Sequence, residues 1–334
     1  MSSIRWGLVG TSNFALEWIA PALTRAKGST LAAVISRDAS RAAAAAARVG
    51  AAHAFTSIES ADTSLIDGVV LVTPNSAHAA GAIAALCRGF HVIVEKPMAH
   101  SVAECEQMIA AAKASGRMLA VAHCMEWAPP VVAARELLTR GALGTVRSAR
   151  IGASFFAEPG SLRRDGVAPA SGDAAGFGAL YDMGVHAIDT ITRLLGPVAG
   201  VRSARTDSGD GDAIAELELA SGVNVHLSSR WSADENYFEI VGEGGVLRSS
   251  EWWGRDFVGH LELERSGVTE QIALTRAKVY DAQFAHLSGA VASAKTPLTS
   301  SARGAKNIAV IEAVVKSART KHPAPVPALS ELFG

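Results

Sequence analysis

The sequence predicts an α/β domain on a parallel sheet, followed by an α+β domain on a large, mostly antiparallel sheet. Three observations carry this expectation. The chain has 334 residues, more than one ordinary core of about 100 to 200 residues holds. Its first 120 or so residues alternate short apolar runs with longer Ala-rich stretches, the pattern of βαβ units. After about residue 130 much of the chain alternates apolar and polar residues with period two.

Taken in order, strands are expected at residues 4–9, 30–36, 68–73, 91–95 and 118–122, with helices between them at 14–27, 40–49, 76–89 and 102–115. The run Ala42 to Ala47 reads as a plain helix, alanine being the best helix former. Residues 131–140 read as a helix, and 213–219 with 223–229 as a hairpin around Ala220-Ser221-Gly222. A second hairpin is expected from 261–264 and 268–274 around Arg265-Ser266-Gly267, then helices at 282–294 and 301–320. The domain boundary is placed at 1–122 and 123–334.

Composition narrows the function classes. Apolar residues make up 49% and charged residues 19%, a globular composition. Lysine plus arginine (31) nearly balance aspartate plus glutamate (32), without a basic cluster of the kind a phosphate backbone requires, so no nucleic-acid partner is expected. Cys87, Cys105 and Cys124 form no C-x-x-C pair, so neither a disulfide framework nor a metal site is expected, and reduced thiols suit a cytoplasmic protein. Residues 1–5 lead straight into the first strand without a leader pattern, and no run of 18 apolar residues suggests a membrane span.

The first βα junction carries Gly10-Thr11-Ser12-Asn13-Phe14-Ala15. It reads as G-x-S-x-x-A, a variant of the dinucleotide-binding turn. Gly10 permits the tight turn, Ser12 offers a hydroxyl to a phosphate oxygen, and Ala15 lets the helix pack close to the strand. At the end of the second strand, where an acidic residue would take a ribose 2′-hydroxyl, stand Ser36 and Arg37, with Arg41 one turn on. A carboxylate there would repel a 2′-phosphate, whereas these residues can bind one, so NADP is expected over NAD, with Asp38 a contrary charge nearby.

Three further segments act in combination: Thr73-Pro74-Asn75-Ser76-Ala77-His78, Glu95-Lys96-Pro97, and Gly176 to Asp189, which contains Asp182-Met183-Gly184-Val185-His186. On these motifs, in this order and spacing, the chain resembles the Gfo/Idh/MocA oxidoreductase family over essentially its whole length, with the anhydrofructose reductase branch looking most similar. The resemblance implies an α/β Rossmann domain followed by an α+β domain with a large, mostly antiparallel open-faced sheet. It also implies hydride transfer between nicotinamide and a sugar or cyclitol carbon, and a homodimer or homotetramer. Pairing is expected through the C-terminal sheet, because its alternating strands imply a face that two terminal helices leave uncovered. The expected cofactor contacts are Gly10, Thr11, Ser12, Asn13, Phe14, Ser36, Arg37, Arg41, Thr73, Pro74, Asn75, His78, Glu95 and Lys96.

Oxidising a secondary alcohol needs a base for the hydroxyl proton, and His186, with an imidazole pKa ordinarily about 6.5, suits transfer in both directions. Asp182 lies four residues earlier, one turn away if the stretch is helical. By the resemblance, Lys96 touches the reacting oxygen and the nicotinamide side, and the Lys96–Pro97 bond is expected to be cis. Lys96, Asp182 and His186 are thus the expected catalytic set, with His123 and Arg163 as further substrate contacts and no metal. Glu126 stands where relatives carry arginine and is left out of that set. Trp231, Trp252 and Trp253 could stack on a sugar ring, although aromatic residues on sheets more often fill cores. The same resemblance leaves open a non-catalytic NADP-sensing regulator and a redox-neutral sugar-modifying enzyme with tightly held cofactor.

Overall fold

A computed structural model describes residues 3–157, 178–207 and 212–329. The chain divides into two compact units, residues 1–123 with 280–305, and residues 124–279 with 306–334.

In the first unit, β1 (Ile4–Val9), β2 (Ser29–Ile35), β3 (His53–Phe55), β4 (Gly68–Leu71), β5 (His91–Glu95) and β6 (Leu119–Ala122) form one sheet. It is parallel throughout, in the order β3-β2-β1-β4-β5-β6. The order reverses between β1 and β4, which opens a crevice at the carboxyl edge where such sheets bind ligands. β4 and β6 are buried at every residue, as strands covered on both faces must be. The helices are α1 (Ala20–Arg25), α2 (Ala39–Val49), α3 (His78–Cys87) and α4 (Val102–Ser115). In α2 the alanine run has an inner side, with Ala45 and Ala46 packed on Val34.

The single helix expected at 14–27 is instead a π-helical turn, Ala15–Ile19, followed by α1. Pro21 has no N–H to donate to the carbonyl four residues back, and the turn before it widens so that Ala20 N–H donates to the Ala15 carbonyl.

The second unit contains α5 (Pro129–Thr139), β7 (Val146–Ser154), a π-helical turn Leu180–Gly184, α6 (Val185–Leu195), β8 (Val198–Asp207), β9 (Asp212–Leu219) and β10 (Asn224–Ser229). Next come β11 (Glu235–Gly242), β12 (Gly245–Glu251), β13 (Asp256–Phe257), β14 (His260–Arg265), β15 (Val268–Gln271), β16 (Ala277–Lys278) and, near the end, β17 (Ala324–Pro325). Nine of these make a sheet ordered β15-β14-β12-β11-β7-β10-β9-β8-β17, while β13 and β16 pair separately. Only the β7–β10 ladder is parallel among the described strands of that sheet.

The period-two alternation sorts this sheet into two faces. Ile151, Leu217, Leu227, Phe238, Ile240 and Leu247 are buried, and α5 and α6 cover that side. The opposite side is a ladder of cross-strand charges: Arg202 with Glu218 (3.1 Å), His226 with Glu216 (2.7 Å), and Glu239 between Arg150 (3.0 Å) and Arg248 (2.6 Å). The expectation of an apolar face left uncovered by two terminal helices is therefore corrected. Different helices cover the apolar face, and the other face is charged.

α7 (Val279–Ala292) and the start of α8 (Ser301–Thr320) return to the first unit, although the sequence reading assigns everything beyond residue 122 to the second domain. The reason is specific bonding. Asp281 accepts two hydrogen bonds from Arg25 at 2.7 Å, Ser288 Oγ accepts from Trp6 Nε1 at 2.9 Å, and the Thr299 carbonyl accepts from Val121 N–H at 2.9 Å. Among the described residues, no helix is long and apolar enough to cross a membrane.

Candidate active site

In the first unit the expected cofactor residues gather at the carboxyl edge of the parallel sheet. Gly10 has φ +115°, and a Cβ there would lie 2.3 Å from the Val72 carbonyl oxygen, so the crossing of β1 with the end of β4 requires glycine. Ser12 Oγ accepts from Ala15 N–H at 3.2 Å, capping the helical turn, and the hydroxyl proton remains for an external acceptor. Ser12 and Asn13 are exposed, Thr11 and Phe14 half-buried. Phe14 meets Tyr280 edge-to-face at a centroid distance of 6.0 Å. Together, a glycine crossing and an exposed, capped helix start form a cradle that fits a dinucleotide pyrophosphate.

At the end of β2, Ser36 is half-buried and Arg37 and Arg41 are exposed. Asp38, the contrary charge, is occupied locally, because its carboxylate is the N-cap of α2 and accepts from Arg41 N–H at 2.7 Å. Thr73, Pro74 and Asn75 form the turn after β4, with Pro74 exposed and the others half-buried. Lys96 follows β5 and is half-buried, and the Lys96–Pro97 bond is cis.

Two expected cofactor residues are buried. His78 is fully buried, with Nδ1 2.9 Å from the Pro97 carbonyl oxygen and Nε2 3.1 Å from that of Thr73. Both ring nitrogens are thus turned on the protein's own backbone, which corrects the direct cofactor contact expected of it. Burial pushes its pKa down to about 4, against the two carbonyls that favour the cation. Glu95 is also buried, and one of its oxygens lies 3.3 Å from the backbone N–H of Lys96, which donates to it.

In the second unit Asp182 lies in the π turn and His186 in the first turn of α6. The two flanking glycines seat this segment on the sheet. A Cβ on Gly178 would come within 2.4 Å of the Trp231 ring, and one on Gly184 within 3.2 Å of Ser229. Ser229 Oγ donates to the Ala179 carbonyl at 2.7 Å. From Gly178 to Ile191 every residue is buried except Asp182, which is half-buried. His186 is 8% exposed. The widened turn means that Asp182 and His186 are not spaced by one regular α turn, as the sequence suggested.

His123, at the end of the first unit's main segment, is buried. Arg163 lies outside the described residues. Trp231 and Trp252 are core residues, Trp252 donating from Nε1 to the Gly152 carbonyl at 3.0 Å, and Trp253 donates to the Glu235 carbonyl at 3.4 Å. Sequence reasoning missed the setting of Glu126. Its carboxylate is 1% exposed and takes both the Arg135 guanidinium and Arg193 Nε, the latter at 3.1 Å, joining the turn before α5 to α6.

Comparison with known proteins agrees with this fold. Residues 4–123 match the family described as "Oxidoreductase family, NAD-binding Rossmann fold", and residues 131–248 match the "GFO/IDH/MocA C-terminal domain". The 1,5-anhydro-D-fructose reductase of Ensifer adhaerens is 27% identical, over 96% of this chain and 98% of its own. The scyllo-inositol 2-dehydrogenase (NADP(+)) of Bacillus subtilis is 32% identical over 73% of this chain and 75% of its own. Among solved structures, aldose-aldose oxidoreductase from Caulobacter crescentus shares the fold, with a TM-score of 0.88 at 24% identity, covering 97% of this chain and 99% of that one.

Proposed function

Because the chain belongs to the Gfo/Idh/MocA oxidoreductase family, we propose that it is an NADP(H)-dependent enzyme of the cytoplasm, acting as a homodimer or homotetramer. It transfers hydride between nicotinamide and a hydroxyl or keto carbon of a sugar, anhydrosugar or cyclitol. The observation that carries the cofactor choice is the end of β2, where Arg37 and Arg41 are exposed beside the half-buried Ser36 and the Asp38 carboxylate is committed to a helix cap. The substrate class is supported by the reductase and dehydrogenase names of the relatives.

The bound cofactor supplies the hydride acceptor or donor at nicotinamide C4. The chain's own residues supply the rest. His186 takes the hydroxyl proton as the alcohol is oxidised and returns it in the reverse direction. Lys96 donates a hydrogen bond to the reacting oxygen, stabilising the charge that develops there. Asp182 orients the substrate or the imidazole, and His123 and Arg163 contact the substrate. Gly10, Thr11, Ser12, Asn13 and Phe14 cradle the pyrophosphate, with Ser36, Arg37 and Arg41 on the 2′-phosphate and Thr73, Pro74, Asn75 and Glu95 lining the remaining length.

The test is a panel of sugars, polyols and keto sugars followed by the absorbance of reduced nicotinamide, alongside titration of NADPH and NADH. NADPH should bind about tenfold tighter or more, since charge-assisted contacts contribute about 1.5 to 3 kcal/mol each. Equal affinity for NADH would remove the NADP assignment. Tight NADPH binding without turnover on any member of the panel would favour a regulatory role, and cofactor retained through purification a redox-neutral one.

A further inference from the structure

We propose that His78 is a positioning residue: its ring, protonated on Nδ1, holds the Pro97 carbonyl and thereby fixes the loop that presents Lys96. The inference rests on the oxidoreductase reading for the role of Lys96, but the ring's state can be read without it.

His78 opens α3 and stands between two carbonyls, Pro97 beside Nδ1 (2.9 Å) and Thr73 beside Nε2 (3.1 Å). Both partners are acceptors. A neutral imidazole has one N–H, so only one of the two contacts is a hydrogen bond, whereas an imidazolium would make both. The cation is opposed first by complete burial and then by the nearby positive charge of Lys96. The ring is therefore neutral at working pH, and the shorter contact takes the proton.

The consequences for the two loops differ. The Pro97 carbonyl, one residue beyond Lys96, is fastened. The Thr73 carbonyl, at the start of the turn after β4, faces a bare nitrogen lone pair and is the compliant side. His78 thus secures the lysine loop while leaving the neighbouring turn free to adjust to a nucleotide.

The two amide side chains separate these contacts, because the amide nitrogen of asparagine occupies the place of Nδ1 and that of glutamine the place of Nε2. His78→Asn should keep turnover and NADPH affinity within about threefold, while His78→Gln should lose about tenfold or more in kcat and weaken NADPH binding as well, because the lysine that the ring positions is assigned to both partners. Nitrogen NMR of the ring in the unsubstituted, full-length protein should show Nδ1 protonated and Nε2 bare near neutral pH. An Nε2–H tautomer, an imidazolium, or a glutamine variant as active as the asparagine variant would overturn the proposal. If neither variant folds, the NMR assignment alone decides. Absence of turnover in the unsubstituted protein would remove the activity without touching the assignment of the ring.

Discussion

Single side chains in the proposed site make separable demands. His186→Ala should lower kcat by about 10²- to 10⁴-fold while NADPH binding, read by fluorescence titration, stays nearly intact. Lys96→Ala should lower kcat and also raise the KM for NADPH, because the lysine is assigned to both partners. Turnover unchanged in His186→Ala would leave that histidine a structural residue of α6. His78 predicts a pH effect on stability. Its folded pKa, about 4, lies below the ordinary 6.5, so between those values the unfolded chain binds more protons and stability falls as pH falls. The loss is on the order of 3 kcal/mol. Denaturant midpoints of the wild type should drop across that window more steeply than those of His78→Asn, and parallel slopes would contradict the shift. Glu126 was illegible as a paired residue because its partners lie 9 and 67 positions away, on helices whose approach no local pattern announces. Glu126→Gln should cost about 2 to 3 kcal/mol, less than a fully buried pair because both guanidiniums keep some water.

Elements were legible wherever periodicity and turn chemistry agreed. β1, β5, α4 and α8 occupy the expected residues, and both hairpins form around their Gly turns. β3 escaped notice because three residues, none fully buried, carry too little pattern. The π turns at Ala15–Ile19 and Leu180–Gly184 were missed because an inserted residue leaves composition unchanged and alters only the bonding of carbonyls. Each follows or contains a stretch assigned to the site. At the β1 crossing, Gly10→Ala should abolish measurable NADPH binding or prevent folding, since the added carbon meets backbone rather than a movable side chain. An alanine variant with wild-type NADPH affinity would show that the crossing has slack. Near the start of β4, burial works against the charge of Asp67, but hydrogen bonds from Arg5 hold its carboxyl below the usual range. That contribution is present above the unfolded pKa of about 3.9 and is lost as pH falls through the lower folded value. Asp67→Asn should therefore flatten the acid limb of stability below about pH 4.

For the whole molecule, the change of texture near residue 130 announced two architectures, and both are present. The return of residues 280–305 was not announced, because a helix pattern says nothing of which sheet it will cover. The charged ladder on the nine-stranded sheet bears on assembly. Ion pairs exposed to water are screened by salt, so if copies associate across that face, light scattering should show the dimer or tetramer mass falling as salt is raised. A monomer at low salt would remove the assembly from the proposed function. The returning segment bears on inheritance. Residues 1–123 are not a portable cassette: Trp6, Arg25 and Val121 each bond to partners encoded at 281–299. A recombination that exchanged only the front of the gene for a relative's would separate those pairs, so successful chimaeras should carry the returning segment along with the front of the gene, and single-crossover hybrids should be poorly soluble.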